Sequence, residues 1–253
     1  MENPPKIKPL GWAPSLGIFL ITAGTIYATH YIFAPWFKAV TGQPYLIGYL
    51  IGWIGNMSTV FALSLLAYRW EENPLTWQAF SIRYRLNHMP KQDWLWALAM
   101  IIVAAGCSVG LSFTARWLAS IPFFAPHPAF PQDFVTGSVV PGMLFEMPLK
   151  GQWWLIPIYF IGWFLNIAGE EFWYRGWMLP RQEAAFGKYA FIVNGLMFTF
   201  QHFLYPWNFL ALLPGVLFVV WVVQKRKNTW LTIIQHGLMN LVLFVYIIQG
   251  VIA

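Results

Sequence analysis

Glu170, Glu171, Arg175, His202 and His236 lie inside stretches otherwise apolar enough to cross a bilayer. Placing an ionisable side chain in hydrocarbon costs several kcal/mol, so each such residue is a functional-site hypothesis by default. The five fall in three short blocks: Glu170-Glu171-x-x-x-Arg175, Phe198-x-x-x-His202 and His236-x-x-x-Asn240. Carboxylates, imidazoles and an amide at that spacing point to acid/base chemistry within a membrane.

Helical geometry sorts the blocks. Residues four apart share a helix face, so Glu171 and Arg175 are read as a buried ion pair that fixes geometry. Glu170 points about 100° away, towards the face of Asn166 and Tyr174. It has no in-register cation and is read as the working carboxylate. Carboxylates in apolar pockets titrate nearer neutrality, which suits a general base. His236 and Asn240 share a face, and both donate hydrogen bonds. Phe198 and His202 share another, which places the ring beside the imidazole. The zinc-hydrolase pattern His-Glu-x-x-His is absent, as is Gly-x-Ser-x-Gly. No Asp falls in an expected span and no Ser in the polar cluster. Cys107 is remote, with no His on its span, and is read as a small buried hydrophobe. Water activated by Glu170 and a histidine remains.

The elements that must position these groups follow from composition. Of 253 residues, 58% are hydrophobic and 9% charged, against about 25% charged in soluble domains. The expected fold is all-α, a polytopic membrane helix bundle forming a single domain over 1–253. Its first 150 residues carry no motif, and the core is expected in 151–253. A span needs about 20 apolar residues. Seven candidates lie near 13–35, 45–68, 94–119, 153–179, 189–205, 208–224 and 230–252. An eighth could hide in 121–152, which holds Pro122, Pro126, Pro128, Pro131, Pro141 and Pro148 and is read as an irregular loop with interfacial pieces. The first apolar run is too long for a signal peptide and reads as an anchor. Trp, Tyr and Phe are abundant and suit membrane interfaces or an apolar cleft.

Lys and Arg set the expected orientation. One side holds Lys6, Lys8, Arg69, Arg83, Arg85, Lys91, Arg181, Lys188, Lys225, Arg226 and Lys227; the other holds Lys38 and Lys150. This places the N-terminus in the cytoplasm and the C-terminus outside. It also accounts for the net charge of +6 without nucleic acid. The stretch 69–93 mixes Trp70, Trp77, Phe80 and Leu86 with charges and reads as an amphipathic segment on the membrane surface. Counted from the basic loops at about 1.5 Å per residue, Glu170, His202 and His236 lie roughly 15, 20 and 12 Å deep. Tilt absorbs that spread, so all three are expected to face one cavity.

Over 150–245 the chain resembles the CPBP family of CAAX prenyl proteases and bacteriocin-processing or Abi-type intramembrane proteases. The resemblance rests on the three blocks in order, with Gly176 following the first. It implies an intramembrane endopeptidase in the cytoplasmic membrane, with a cavity open to the cytoplasmic side. It implies that Glu170 and His202 activate water, that His236 and Asn240 stabilise the oxyanion, and that Glu171, Arg175 and Phe198 support them. It implies a membrane-associated or lipidated protein or peptide as substrate and membrane lipid as surroundings; a prenyl group is not assumed, and the oligomeric state stays open. A metal-free site is favoured, since Asn is a poor zinc ligand. Zn²⁺ on Glu170, His202 and His236 is the alternative. The aromatic Phe172, Trp173, Trp177 and Trp207 depart from the family pattern. Two other readings remain: a b-type haem protein with His202 and His236 as ligands, and a non-catalytic binding or transport protein using the same polar cavity.

Overall fold

The computed structural model describes residues 7–128, 130, 131 and 141–253. Lys6 and the middle of the expected 121–152 loop lie outside the described residues. The chain is helical almost throughout. Helix α1 (Trp12–Ala28) runs through a π-helical turn (Thr29–Phe33) into α2 (Ala34–Thr41), which Pro35 opens. Then come α3 (Tyr45–Trp70), α4 (Trp77–Arg83), α5 (Lys91–Gly110) and α6 (Ser112–Ala119). Helix α7 (Leu155–Glu170) continues through a longer π-helical stretch (Glu171–Met178) into α8 (Leu179–Phe186). Three helices close the chain: α9 (Ala190–Gln201), α10 (Phe209–Arg226) and α11 (Trp230–Ile252).

All seven expected spans are helical, but among the described residues five stretches are long and apolar enough to cross a membrane. These are Trp12–Thr41, Tyr45–Trp70, Lys91–Gly110, Pro206–Arg226 and Trp230–Ile252. The helix that carries both glutamates is not among them. Nor is α9, whose 12 residues reach about 18 Å of a hydrocarbon core of about 30 Å. The chain is an integral membrane helix bundle. In place of part of the expected irregular loop, Met143–Leu144 pairs antiparallel with Met147–Pro148. Leu144, Phe145, Met147 and Leu149 of this hairpin are buried against Tyr45, Leu46 and Tyr159.

Helices α3 and α7 pack along one another, α10 packs between α5 and α9, and α11 bridges α5 and α7. Two glycines allow the closest approaches. A Cβ on Gly162 would lie 2.3 Å from the Trp53 ring, and one on Gly176 would lie 2.3 Å from the Tyr84 ring. Tyr84 is fully buried and donates from its hydroxyl to the Ser64 carbonyl, so it has nowhere to retreat. Pro180 has no N–H for the carbonyl one α-turn back, at Gly176. Arg83 supplies the missing donor, its Nη1 lying 3.1 Å from that oxygen. The helix is thereby re-satisfied from outside at the end of its π-helical stretch.

The ends of α3, α8, α10 and the segment around α4 gather on one face and are tied by ion pairs. Arg83 and Arg181 hold Glu71, with Arg83 Nε at 2.5 Å. Arg85 and Lys227 hold Glu183 at 2.8 and 2.5 Å, and Arg226 holds Asp93 at 2.6 Å. Lys38–Glu146 lies at the opposite face. Trp70, Leu75, Trp77 and Ile82 stay exposed around α4 while Tyr84 and Leu86 dock inward, the pattern expected of an amphipathic surface segment. Burial would raise Glu71 and Glu183. The hydrogen bonds and charges of Arg83 and Arg181 on Glu71, and of Arg85 and Lys227 on Glu183, outweigh it, so both carboxyls sit below their ordinary value of 4.5.

Gly176→Ala forces a methyl into the clamped Tyr84 ring and should lower stability by about 1–3 kcal/mol. Gly106→Ala, which meets nothing within 4 Å, should be neutral or stabilising; thermal midpoints in detergent distinguish the two. Because the Glu71 and Glu183 values are depressed, their stabilisation is complete above pH 4.5 and is lost as pH falls below it. The thermal midpoint should drop on acidification through that range, and Glu71→Gln should flatten the drop.

Candidate active site

Glu170 closes the α-helical part of its element and Glu171 opens the π-helical part. Neighbouring residues on a helix point about 100° apart, so the two carboxylates diverge. Glu171 is buried, with Arg175 Nε 3.6 Å from one of its oxygens. The expected Glu171–Arg175 pair is present, but it is half of the arrangement. His236 Nδ1, on α11, lies 2.9 Å from the other Glu171 oxygen. Arg175 in turn lays its guanidinium over the Phe198 ring at 4.0 Å, a cation–π contact in a desolvated setting. The Phe198 ring lies 4.9 Å from the His202 imidazole, as its spacing requires. These contacts tie together three elements: the Glu171–Arg175 stretch, α9 with its end, and α11.

The protons in this network are fixed by groups that act in one sense only. A carbonyl only accepts, so His202 Nδ1, 2.9 Å from the Phe198 carbonyl, is the donor. Neutral His202 therefore presents an unprotonated Nε2. A Trp indole only donates, so Trp53 Nε1 gives its hydrogen to Asn166 Oδ1 at 3.2 Å. That leaves the Asn166 amide N–H₂ to face His236 Nε2 at 3.4 Å as donor. His236 Nε2 is then the acceptor and Nδ1–H donates to Glu171. Gly162 makes room for the Trp53 ring that starts this chain.

Glu170 is not without a partner: Gln201 Nε2 donates to its Oε1 at 3.1 Å, while its Oε2 is buried with no protein donor. Gln201 ends α9, and His202 caps it at a break midway along the bundle. Irregular backbone at membrane depth is tolerated where it lines a cavity, and this turn does so. Glu170, His202, His236 and Asn240 all line one cavity of about 550 Å³, together with Trp53 and Asn166. Glu171, Arg175 and Phe198 sit behind it, lining a smaller recess of about 230 Å³ that shares His202, His236 and Asn240. Trp53, Asn166, Gln201 and His30, which also lines the main cavity, were not singled out from sequence as site residues. Their one signal was polarity within apolar helices.

Residues 152–242 match the family model Rce1-like, described as type II CAAX prenyl endopeptidase Rce1-like. The family resemblance read from the three blocks is borne out over that stretch. No curated protein and no solved structure matches the chain. The match contains all three blocks of the site. Among the described residues, no three His, Cys, Asp or Glu side chains gather closely enough to hold a metal ion. Glu170, His202 and His236 thus share the cavity without forming a ligand set as placed.

Arg175→Ala strands the Glu171 charge in the core and should lower stability by about 3–5 kcal/mol. The paired change Glu171→Gln with Arg175→Met should recover much of that loss. Denaturation midpoints of the detergent-solubilised single and double variants measure both.

Proposed function

We propose that the protein is an intramembrane endopeptidase that hydrolyses a peptide bond of a membrane-associated or lipidated protein, with Glu170 and His202 activating the water. One observation carries this reading: Glu170, His202, His236 and Asn240, four of the seven residues that define the motif blocks, line a single cavity, within the stretch that matches the CAAX prenyl endopeptidase model. Glu170 Oε2 and His202 Nε2 are both acceptors. A water that donates one hydrogen to each turns a lone pair towards a bound carbonyl carbon. As the new C–O bond forms, Glu170 takes a proton from the water. When the C–N bond breaks, that proton passes to the leaving amine, so the carboxylate is regenerated.

The negative charge that develops on the carbonyl oxygen needs donors. The Asn240 amide provides one. His236 provides a second when its imidazole enters the reaction protonated on both nitrogens, with Nδ1–H held by Glu171. Gln201 holds Glu170 in register, and Arg175 and Phe198 hold the helices that carry the rest. No step is routed through a metal. The positive-inside bias supports an N-terminus in the cytoplasm.

Glu170→Gln and His202→Ala should each lower kcat by about 10²–10⁴-fold while leaving the thermal midpoint near that of the parent. A membrane-associated reporter peptide in proteoliposomes is the assay, with a chelator in a parallel sample. Turnover should survive the chelator. Undiminished turnover in both variants would rule the reading out.

A further inference from the structure

Asn166 lies one α-turn before Glu170 on α7, and residues four apart share a helix face. Both line the main cavity. Asn166 belongs to none of the three motif blocks. Its amide is held in one orientation. Trp53 Nε1–H points at Oδ1 from 3.2 Å. A flipped amide would set its N–H₂ against that indole N–H, donor to donor. The Trp53 ring is itself packed in place. It stacks on Tyr49 at 5.9 Å and 9° from parallel, meets Tyr159 at 5.3 Å, and closes on Gly162. The N–H₂ is therefore kept on the side of His236, 3.4 Å from Nε2.

An amide N–H₂ carries two hydrogens. One is directed at His236 Nε2. The other bonds nothing else among the described residues, on a half-buried residue that lines the cavity. His236 and Asn240, one turn apart on α11, line it too. An imidazole whose Nε2 accepts gives nothing to a carbonyl oxygen. A second donor beside Asn240 then has to come from a neighbour, and Asn166 is the neighbour that has one. When Nε2 carries a hydrogen, it and the Asn166 N–H₂ are two donors facing each other across 3.4 Å. A single oxygen that accepts from both resolves that arrangement.

We propose that Asn166 is a catalytic residue: its amide donates to the oxygen of the scissile carbonyl, beside Asn240 and His236, and Trp53 is the positioning residue that aims it. The inference rests on the peptidase reading and deepens it. The oxyanion is bound from α7 as well as from α11. The helix that carries the base for the attacking water thus also carries a donor for the charge that the attack creates. If Asn166 served only as a link between α7 and α11, its removal would not act selectively on the transition state.

Trp53→Phe combined with Asn166→Leu removes donor and acceptor together. That swap strands no polar group between them, so the thermal midpoint should stay near the parent's. With a membrane-associated reporter peptide in proteoliposomes, kcat should fall about 10²–10³-fold, the worth of one oxyanion donor, with KM little changed. Inhibition by a peptide trifluoromethyl ketone, whose hydrate copies the tetrahedral intermediate, should weaken by a comparable factor. Trp53→Phe alone keeps the donor but frees the amide to turn, and should cost less kcat than the double change. A parent-like kcat in the double variant, or a lowered kcat with inhibition undiminished, overturns the proposal. Failure of the peptidase reading shows elsewhere, as full turnover in Glu170→Gln.

Discussion

A single buried carboxylate organises this protein. Glu171 is 1% exposed, and an ion held that far from water persists only if other groups neutralise it and satisfy its lone pairs. Arg175 supplies the opposite charge from one turn along its own element, 3.6 Å away, and His236 on α11 supplies the hydrogen bond to the other oxygen. Arg175 is itself held against Phe198 on α9. The cost of burying one charge is thus met by groups on three elements, and those elements carry Glu170, His202, His236 and Asn240. Removing either partner would loosen the positions of the working groups along with the bundle.

The chain's backbone is arranged around the same point. The helix begun at Leu155 changes from α to π geometry between Glu170 and Glu171. The step of about 100° between neighbouring helical residues turns one carboxylate to the cavity and the other to the ion pair. The change must be closed off further along, where Pro180 removes a donor and Arg83 reaches in to replace it. Arg83 also binds Glu71, so the ion pairs on the basic face and the register of the helix that carries Glu170 share one side chain. Beyond it Tyr84 and Tyr174 are fully buried; before it lies the cavity.

Much of this was legible in the sequence, for a physical reason. Charged groups are so costly in apolar helices that Glu170, Glu171, Arg175, His202 and His236 announce themselves, and a four-residue spacing gives their faces. The bundle class follows from the apolar stretches. Neutral polar groups carry no such signal: Asn166 and Gln201 could each have been interhelical glue, and Trp53 one more interfacial aromatic. Their roles depend on long-range contacts, such as the Trp53–Asn166–His236 chain, that no local period encodes. The π-helical stretch was equally silent, because no local residue pattern marks a change of helical pitch. Of the seven expected spans, 153–179 and 189–205 are helical but are not among the five stretches long and apolar enough to cross a membrane. The pairing of His236 with Glu171 joins residues 65 apart; the sequence reading had placed each correctly on its own helix and had not joined them.

The central claim is that Glu170 and His202 direct a water at a peptide carbonyl inside the membrane. Cleavage of a membrane-associated peptide by the reconstituted protein in H₂¹⁸O, read by mass spectrometry after one turnover, tests it most directly. The account predicts one solvent oxygen in the new C-terminal carboxylate and none in Glu170. Solvent oxygen incorporated into Glu170, which would mark it as a nucleophile, or the absence of any cleaved product, would contradict it.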